Sequence, residues 1–149
     1  KISDFPPQSK YLSDSLGKWA ISNEFQLNSL DLIGFSQGAA LVCTFLLSSQ
    51  MKIEKAACLA GFMPDGGKEI ATYGILKGRK VFVSHGIGDD IIPYFRSQEM
   101  VEILEYAGAE VDSCAEDVGH KVGSNCFKGL RSFFNNGNLA AGELSEKRP

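Results

Sequence analysis

The sequence has few histidines, one tryptophan and no concentration of charge. Two histidines occur among 149 residues, and the formal net charge is −3. Lysine and arginine form no basic run, so neither nucleic-acid binding nor attraction to an anionic membrane has an electrostatic basis. No apolar run reaches the length of a transmembrane helix, and no signal peptide is recognisable. The composition is that of an ordinary soluble globular protein of one domain.

The four cysteines show no metal-binding pattern. Cys43, Cys58, Cys114 and Cys126 form no Cys-x-x-Cys pair, and with only two histidines they do not match the ligand spacing of a zinc cluster. We expect no metal site and no cofactor. The four cysteines are therefore predicted to be free thiols that act as small buried hydrophobic side chains. Free thiols are typical of a reducing compartment, which predicts a cytoplasmic protein.

Strand and helix patterns alternate along most of the chain. Apolar runs predict strands over 30–35, 55–60, 80–84 and 109–114, and helical periodicity predicts helices over 9–22, 37–49, 94–107 and 123–134. A weak helical turn is predicted within 68–78. The alternation predicts an α/β fold with a parallel sheet, right-handed crossovers and helices on both faces. Residues 1–136 are expected to form one domain and 137–149 a polar tail.

Three details of packing follow from the same patterns. The paired prolines Pro6 and Pro7 predict an irregular lead-in over residues 1–7, because proline breaks a helix interior. Trp19 is expected on the inner face of the first helix. In the last helix, the spacing i, i+3, i+7 predicts an inner face of Phe127, Leu130 and Phe134, and Cys126 is expected on the inner face too.

The segment from Leu30 to Ala40 carries the strongest motif. An apolar strand runs into Gly34-Phe35-Ser36-Gln37-Gly38, and an apolar helix follows at once. In that context Gly-x-Ser-x-Gly is typical of a nucleophile elbow, whose tight turn presents the serine hydroxyl at the end of the sheet. We expect both glycines to be required because a Cβ at either would collide with its neighbours. A glycine-rich turn without chemistry is the alternative for the motif alone.

A serine nucleophile needs a base, and the base needs a carboxylate. Asp89 and Asp90 follow the third predicted strand, and His120 follows the fourth. Loops at the carboxyl ends of parallel strands meet at one sheet edge, and Ser…Asp…His is the order expected after an elbow. This order favours His120 as the base, and His85 is expected to shape the loop that holds the acid.

Four motifs together resemble a known family. The segments 34–40, 60–64 and 85–93 and the pair Gly119-His120 are similar to the phospholipase/carboxylesterase group of the α/β-hydrolase fold, which includes acyl-protein thioesterases. The resemblance implies Ser36 as nucleophile, Asp89 as acid and His120 as base. Asp90 is the alternative acid, but the family's His-Gly-x-x-Asp spacing falls on Asp89.

The resemblance also implies that part of the fold is missing. Members of the family carry further strands before the elbow, whereas only one helix precedes Leu30 in this sequence. The oxyanion of such enzymes is held by two backbone N–H groups. Gln37 supplies one, and the loop that supplies the other is not recognisable. The strand at 30–35 is therefore expected to have a bare edge, through which the chain can form a homo-oligomer.

The leading hypothesis is a serine hydrolase that cleaves small-molecule carboxylic esters or thioesters through an acyl-enzyme. Apolar residues near the strand ends are candidates for the acyl pocket, with plain packing as the alternative: Phe35, Phe62, Met63, Ile91 and Tyr94. Acyl transfer shares the same intermediate and stays open. A dienelactone-hydrolase-like enzyme is disfavoured because it uses cysteine at the elbow. The competing hypothesis is a truncated hydrolase domain that serves as an interaction module with little turnover.

Overall fold

The computed structural model describes residues 6–24, 26–27 and 29–135. Helices and strands alternate in the order α1 Pro6–Ser22, β1 Leu30–Phe35, α2 Gln37–Ser48, β2 Ile53–Leu59, α3 Gly67–Ile70, β3 Lys80–Gly86, α4 Phe95–Tyr106, β4 Glu110–Glu116 and α5 Ser124–Asn135. The predicted tail at 137–149 lies outside the described residues. The predicted helical turn within 68–78 is confined to α3, one residue earlier than expected.

The four strands form one parallel sheet in the order β1-β2-β3-β4. The register pairs Phe35 with Leu59 and Leu59 with Ser84, so the strands end at a common edge. Each strand continues into a loop or helix N-terminus at this edge, because all four strands are parallel. The α/β architecture expected from the sequence is confirmed.

Helices cover the two faces of the sheet unequally. On one face α2 and α4 pack against β2 and β3 through the larger core cluster, which includes Phe45, Met100 and Leu104. On the other face α5 packs through a smaller cluster that includes Phe82 and Phe133. The apolar α2, with eight buried residues, is the most enclosed helix of the described chain.

Two predictions about helix faces are wrong. The last helix buries Cys126, Leu130 and Phe133, whereas Phe127 is 53% exposed and Phe134 only half-buried. The burial of Cys126 and Leu130 is as predicted, and the error lies in Phe127 and Phe134, since the observed inner face has the spacing i, i+4, i+7. In α1, Trp19 is exposed although Ala20 is buried.

The first helix also starts earlier than predicted, at Pro6. Prolines are tolerated in the first turn because the N–H they lack has no intrahelical acceptor there. The irregular lead-in expected over 1–7 is therefore wrong for Pro6 and Pro7, and the rest of it lies outside the described residues.

A disulfide joins Cys114 of β4 to Cys126 of α5. Cys43 and Cys58 are free and buried, with their sulfur atoms 3.5 Å apart. The expectation of four free cysteines is therefore wrong for Cys114 and Cys126 and holds for Cys43 and Cys58. Disulfides persist in oxidising compartments, so this bond weighs against the cytoplasmic location that the cysteine pattern predicts.

The outer edge of β1 is bare among the described residues. On the α5 face of the sheet, Ile33 is 59% exposed and Phe35 46% exposed, because α5 does not extend over β1. Apolar side chains on an edge strand are a site for pairing with further chain segments. This agrees with the bare edge that the sequence predicts for the strand.

Cations separated in sequence meet at the amino ends of β2 and β3. They line a groove of about 580 Å³ and comprise Lys52, Lys55, Lys77, Arg79 and Lys80. Three of them have internal partners: Lys55 donates to the carbonyls of Phe133 and Phe134 at the end of α5, Arg79 donates to Ile53 O, and Lys52 pairs with Glu54. Two of these contacts join separate parts of the fold: Lys55 links β2 to the end of α5, and Arg79 links the start of β3 to the start of β2.

Within the described ranges, no helix is both long and apolar enough to cross a membrane.

Candidate active site

Ser36 occupies a strained turn between β1 and α2. Its backbone has φ 55° and ψ −119°, in the positive-φ region that non-glycine residues rarely adopt. The turn is held by three hydrogen bonds: Ser36 N–H donates to Leu59 O at 2.9 Å, and Ser36 O accepts from the N–H groups of Ala39 and Ala40. Strain at one residue of this kind costs about 1–3 kcal/mol and persists only where the surroundings hold it.

The two glycines of the motif are not equivalent. A Cβ at Gly34 would collide with the backbone of Gly38, whereas a Cβ at Gly38 would meet nothing within 4 Å. The expectation that both positions exclude a side chain is therefore right for Gly34 and wrong for Gly38. The close approach of Gly34 to Gly38 allows α2 to start directly behind β1.

The loops after β3 and β4 are joined by backbone contacts. Gly88 N–H donates to Val118 O at 3.1 Å and Ile87 N–H donates to Glu116 O at 2.8 Å. A Cβ at Gly86 would collide with the carbonyls of Val118 and Gly119, so only glycine permits this approach. The contact brings the segment that carries Asp89 against the segment that carries His120.

A chain of hydrogen bonds connects Ser36, His120 and Asp89. His120 Nε2 lies 3.1 Å from Ser36 Oγ, and His120 Nδ1 lies 2.8 Å from Asp89 Oδ2. Because an ionised carboxylate only accepts, Nδ1 carries the proton and Nε2 accepts from the serine hydroxyl. The arrangement can pass the hydroxyl proton to His120 and hold the resulting imidazolium beside a carboxylate.

Asp89 is buried and its carboxylate is saturated with donors. Oδ1 accepts from the N–H groups of Ile91 and Ile92, both at 2.9 Å, and Oδ2 faces His120. Burial alone would raise the pKa of Asp89, but the Ile92 N–H, His120 and the Ile91 N–H together lower that pKa below its ordinary value. The carboxylate is therefore charged at neutral pH.

Asp90, the alternative acid, is exposed and does not contact His120. His85 is buried and also faces Asp89, with Nε2 3.4 Å from Asp89 Oδ2 and 2.8 Å from Ile92 O. Of the two histidines, His120 is the one that the structure brings to Ser36, and His85 contacts the carboxylate and Ile92.

Gln37 is the first residue of α2, directly after Ser36. The first N–H groups of a helix have no intrahelical acceptor, so the Gln37 amide is free to bind a negative oxygen beside Ser36. The partial positive charge of the helix N-terminus acts in the same direction. β1 is the first strand of the described chain, and no loop from an earlier strand reaches Ser36 there.

The predicted pocket residues fall into two groups. Phe35, Phe62 and Ile91 are at least partly exposed near the strand ends, and the Phe35 ring lies 5.0 Å from the His120 ring. Met63 is buried in the larger core cluster, and Tyr94 packs against His85 with ring centroids 6.1 Å apart. Packing is thus the observed role of Met63 and Tyr94.

Arg96, which sequence reasoning missed, ties the loop after β2 to α4. Its Nη2 donates to Met63 O and to Asp65 Oδ1, both at 3.0 Å, and its guanidinium lies 5.8 Å from the centre of the Phe62 ring. A Cβ on neighbouring Gly61 would collide with Ala39, so this loop also touches the start of α2. An isolated arginine early in a helix carries no sequence signal for this contact.

The structure resembles several solved structures over most of its length, and two of them are carboxylesterases. A Bacillus cereus carboxylesterase superposes with a TM-score of 0.80 at 24% identity, covering 90% of this chain and 62% of that one. A Mesorhizobium loti carboxylesterase gives 0.73 at 22%, covering 90% and 62%. Arabidopsis thaliana SOBER1 gives 0.72 at 19%, covering 91% and 65%. At these identities the likeness shows the fold.

The chain spans 62% of the length of the two carboxylesterases and 65% of the length of SOBER1. No curated protein matches the sequence. The family model for Phospholipase/Carboxylesterase matches residues 4–137. The chain therefore belongs to the phospholipase/carboxylesterase family of α/β-hydrolase folds.

Proposed function

We propose that the protein is a serine hydrolase that cleaves carboxylic esters or thioesters through an acyl-enzyme. The single observation that carries this proposal is the continuous hydrogen-bonded chain from Ser36 Oγ through His120 to Asp89 Oδ2. Family membership and the carboxylesterases among the solved neighbours support the same reaction class. The reacting groups are all supplied by protein side chains and backbone.

In the proposed reaction, His120 Nε2 takes the hydroxyl proton as Ser36 Oγ attacks the carbonyl carbon. Asp89 holds His120 in the required tautomer and stabilises the imidazolium. When the tetrahedral intermediate collapses, His120 returns the proton to the departing alcohol or thiol and an acyl-Ser36 ester remains. Water, activated by the same histidine, then releases the acid and restores Ser36. Another nucleophile in place of water would give acyl transfer.

Gln37 N–H is the proposed donor to the oxyanion of the intermediate. A single donor provides only part of the stabilisation, because loss of one donor typically costs about 10²–10³ in kcat. Phe35 and Phe62 are the proposed apolar contacts for the acyl group, with Ile91 at the rim of the same edge. Substrates are accordingly small acyl esters or thioesters.

The nucleophile is tested with a fluorophosphonate probe, which phosphonylates an activated serine. We expect the wild-type chain to be labelled and Ser36→Ala to be unlabelled, with Ser49→Ala as a control that retains labelling. Equal labelling of wild type and Ser36→Ala would refute the assignment of the nucleophile.

A truncated domain with little turnover is the second candidate function. It is favoured by the coverage of 62% of the solved esterases and by the absence, within the described residues, of a strand before β1. Assay of a short-chain p-nitrophenyl ester separates the two. Turnover by this chain that depends on Ser36 supports the enzyme, whereas probe labelling without turnover supports the truncated domain.

A further inference from the structure

His85 carries a polar atom that the fold leaves unpaired. Its side chain is 1% exposed, and Nδ1 is the buried side-chain nitrogen or oxygen without a partner among the described residues. Most buried polar groups in proteins are hydrogen-bonded, so an orphaned one calls for a reason. A phenylalanine or leucine would fill the same space without this penalty.

The surroundings of the other ring nitrogen define the tautomer. His85 Nε2 lies 2.8 Å from Ile92 O and 3.4 Å from Asp89 Oδ2, and both of these atoms are acceptors. The proton of neutral His85 is therefore on Nε2. The opposite tautomer would bury an Nδ1–H without an acceptor and deprive Ile92 O of its donor.

This Nε2–H closes a ring of contacts around the acid. Ile92 N–H donates to Asp89 Oδ1, while Ile92 O accepts from His85, so the turn over residues 89–92 is held from both sides. Oδ2, which accepts from His120 Nδ1, also faces His85 Nε2. Rotation of the carboxylate about its side-chain torsion would break contacts to His85, Ile91 and Ile92 together.

We propose that His85 is a positioning residue that acts through Asp89. As the Nε2–H tautomer it fixes Ile92 O and the Asp89 carboxylate, so that Oδ2 stays aimed at His120 Nδ1. The inference rests on the proposed function for its effect on catalysis, but the tautomer and the aim of the carboxylate are properties of the folded chain alone. The unpaired Nδ1 is the consequence of placing the donor at Nε2.

The tautomer is measured directly by nitrogen NMR of the 149-residue chain with labelled histidine, recorded on the neutral form of each imidazole. We expect the His85 signals of a protonated Nε2 and an unprotonated Nδ1. His120 is expected to show the opposite pattern, with the proton on Nδ1. A protonated Nδ1 in neutral His85 would overturn the proposal without any mutation.

Two amide substitutions provide a matched pair. In His85→Gln the amide nitrogen lies about as far from the backbone as Nε2 and can still donate to Ile92 O. In His85→Asn it lies at the level of Nδ1 and falls short. We expect His85→Gln to stay close to wild type and His85→Asn to lose about 10- to 100-fold in kcat with KM unchanged, by analogy with the outer partners that orient metal ligands.

Two readouts separate this role from simple packing and from failure of the proposed function. Activity is expressed per site titrated with fluorophosphonate, which removes the effect of unfolded protein. Equal kcat per site in the Asn and Gln variants would overturn the proposal.

The proton between His120 Nδ1 and Asp89 gives an NMR signal without turnover. We expect it to persist in His85→Gln and to weaken in His85→Asn, and retention in both would also overturn it. Gln98→Ala, which lines a cavity beside His85, is the control.

If the wild-type chain is neither labelled nor active while both NMR results hold, the proposed function fails and the positioning role of His85 stands.

Discussion

A disulfide joins Cys114 in β4 to Cys126 in α5, and His120 lies on the segment between them. The same segment is closed by Glu116, whose carboxylate accepts from the backbone N–H groups of Asn125 and Cys126 at 3.0 and 2.9 Å. The loop that carries the proposed base is therefore fastened at both ends.

Reduction of this disulfide is expected to destabilise the protein. The bond closes a loop with a sequence separation of 12 residues, for which the loss of chain entropy in the unfolded state corresponds to about 3 kcal/mol. Reductant should lower the midpoint of urea unfolding of the wild type to that of the Cys114→Ser/Cys126→Ser double variant. The double variant itself should not respond to reductant. Four titratable thiols in the unreduced, denatured chain would contradict the disulfide.

Asp89 and Asp90 offer a matched pair for the acid of the site. Asp89 contacts His120 and Asp90 is exposed. We expect Asp89→Asn to lower kcat by about 10⁴-fold, because the amide favours the wrong imidazole tautomer. Asp90→Asn should stay within a few-fold of wild type. Both values come from initial rates with a short-chain ester, and a larger loss in Asp90→Asn than in Asp89→Asn would reverse the assignment.

The stability of the fold is expected to depend on the ionisation of Asp89. Its pKa in the native state lies below the ordinary value of 3.8, so between these two values the unfolded chain binds a proton that the native chain does not. This contribution to stability is fully present above pH 3.8 and is lost as the pH falls through the native pKa. Acid titration of the unfolding free energy should therefore show a shallower decline in Asp89→Asn than in wild type. Parallel curves would contradict the lowered pKa.

Sequence reasoning was most accurate where a pattern depends on local geometry. The Gly34–Gly38 motif and the apolar strand before it predict the position of Ser36, and chain order predicts that the loops of Asp89 and His120 meet. These relationships follow from strand periodicity and from the alternation of strands and helices, and both can be recognised from short segments of the sequence.

Prediction from sequence is least accurate where side chains distant in sequence compete for space. Phe127 and Phe133 are both compatible with a helical stripe, and only packing against Phe82 selects Phe133, at a ring distance of 5.6 Å. Pairing of Cys114 with Cys126 depends on how α5 lies over β4, which no spacing rule contains. The hydrogen bond from Arg96 to Met63 O joins residues 33 positions apart, and it too depends on how distant elements pack.

The two motif glycines are expected to respond oppositely to alanine. A Cβ at Gly34 would strike the Gly38 backbone, and overpacking of this kind typically costs about 1–3 kcal/mol. Gly38 has free space and lies in α2, where alanine is favoured over glycine by up to about 1 kcal/mol. Chemical unfolding of both variants measures the difference. Equal destabilisation would mean that α2 does not start as closely behind β1 as the structure has it.

The bare edge of β1 is expected to cause self-association through a second copy of the chain. Ile33 and Phe35 expose apolar surface on β1, which is the edge strand of the sheet among the described residues, and edge strands with this character pair readily. A charge blocks such pairing at little cost to the fold, because the Ile33 side chain is already exposed. The mass of wild type measured by light scattering should therefore rise with protein concentration. At each concentration, Ile33→Lys should have a mass closer to that of the monomer. Ile21→Lys, at an exposed position on α1, should associate like wild type; if both variants behave alike, the association does not use the sheet edge.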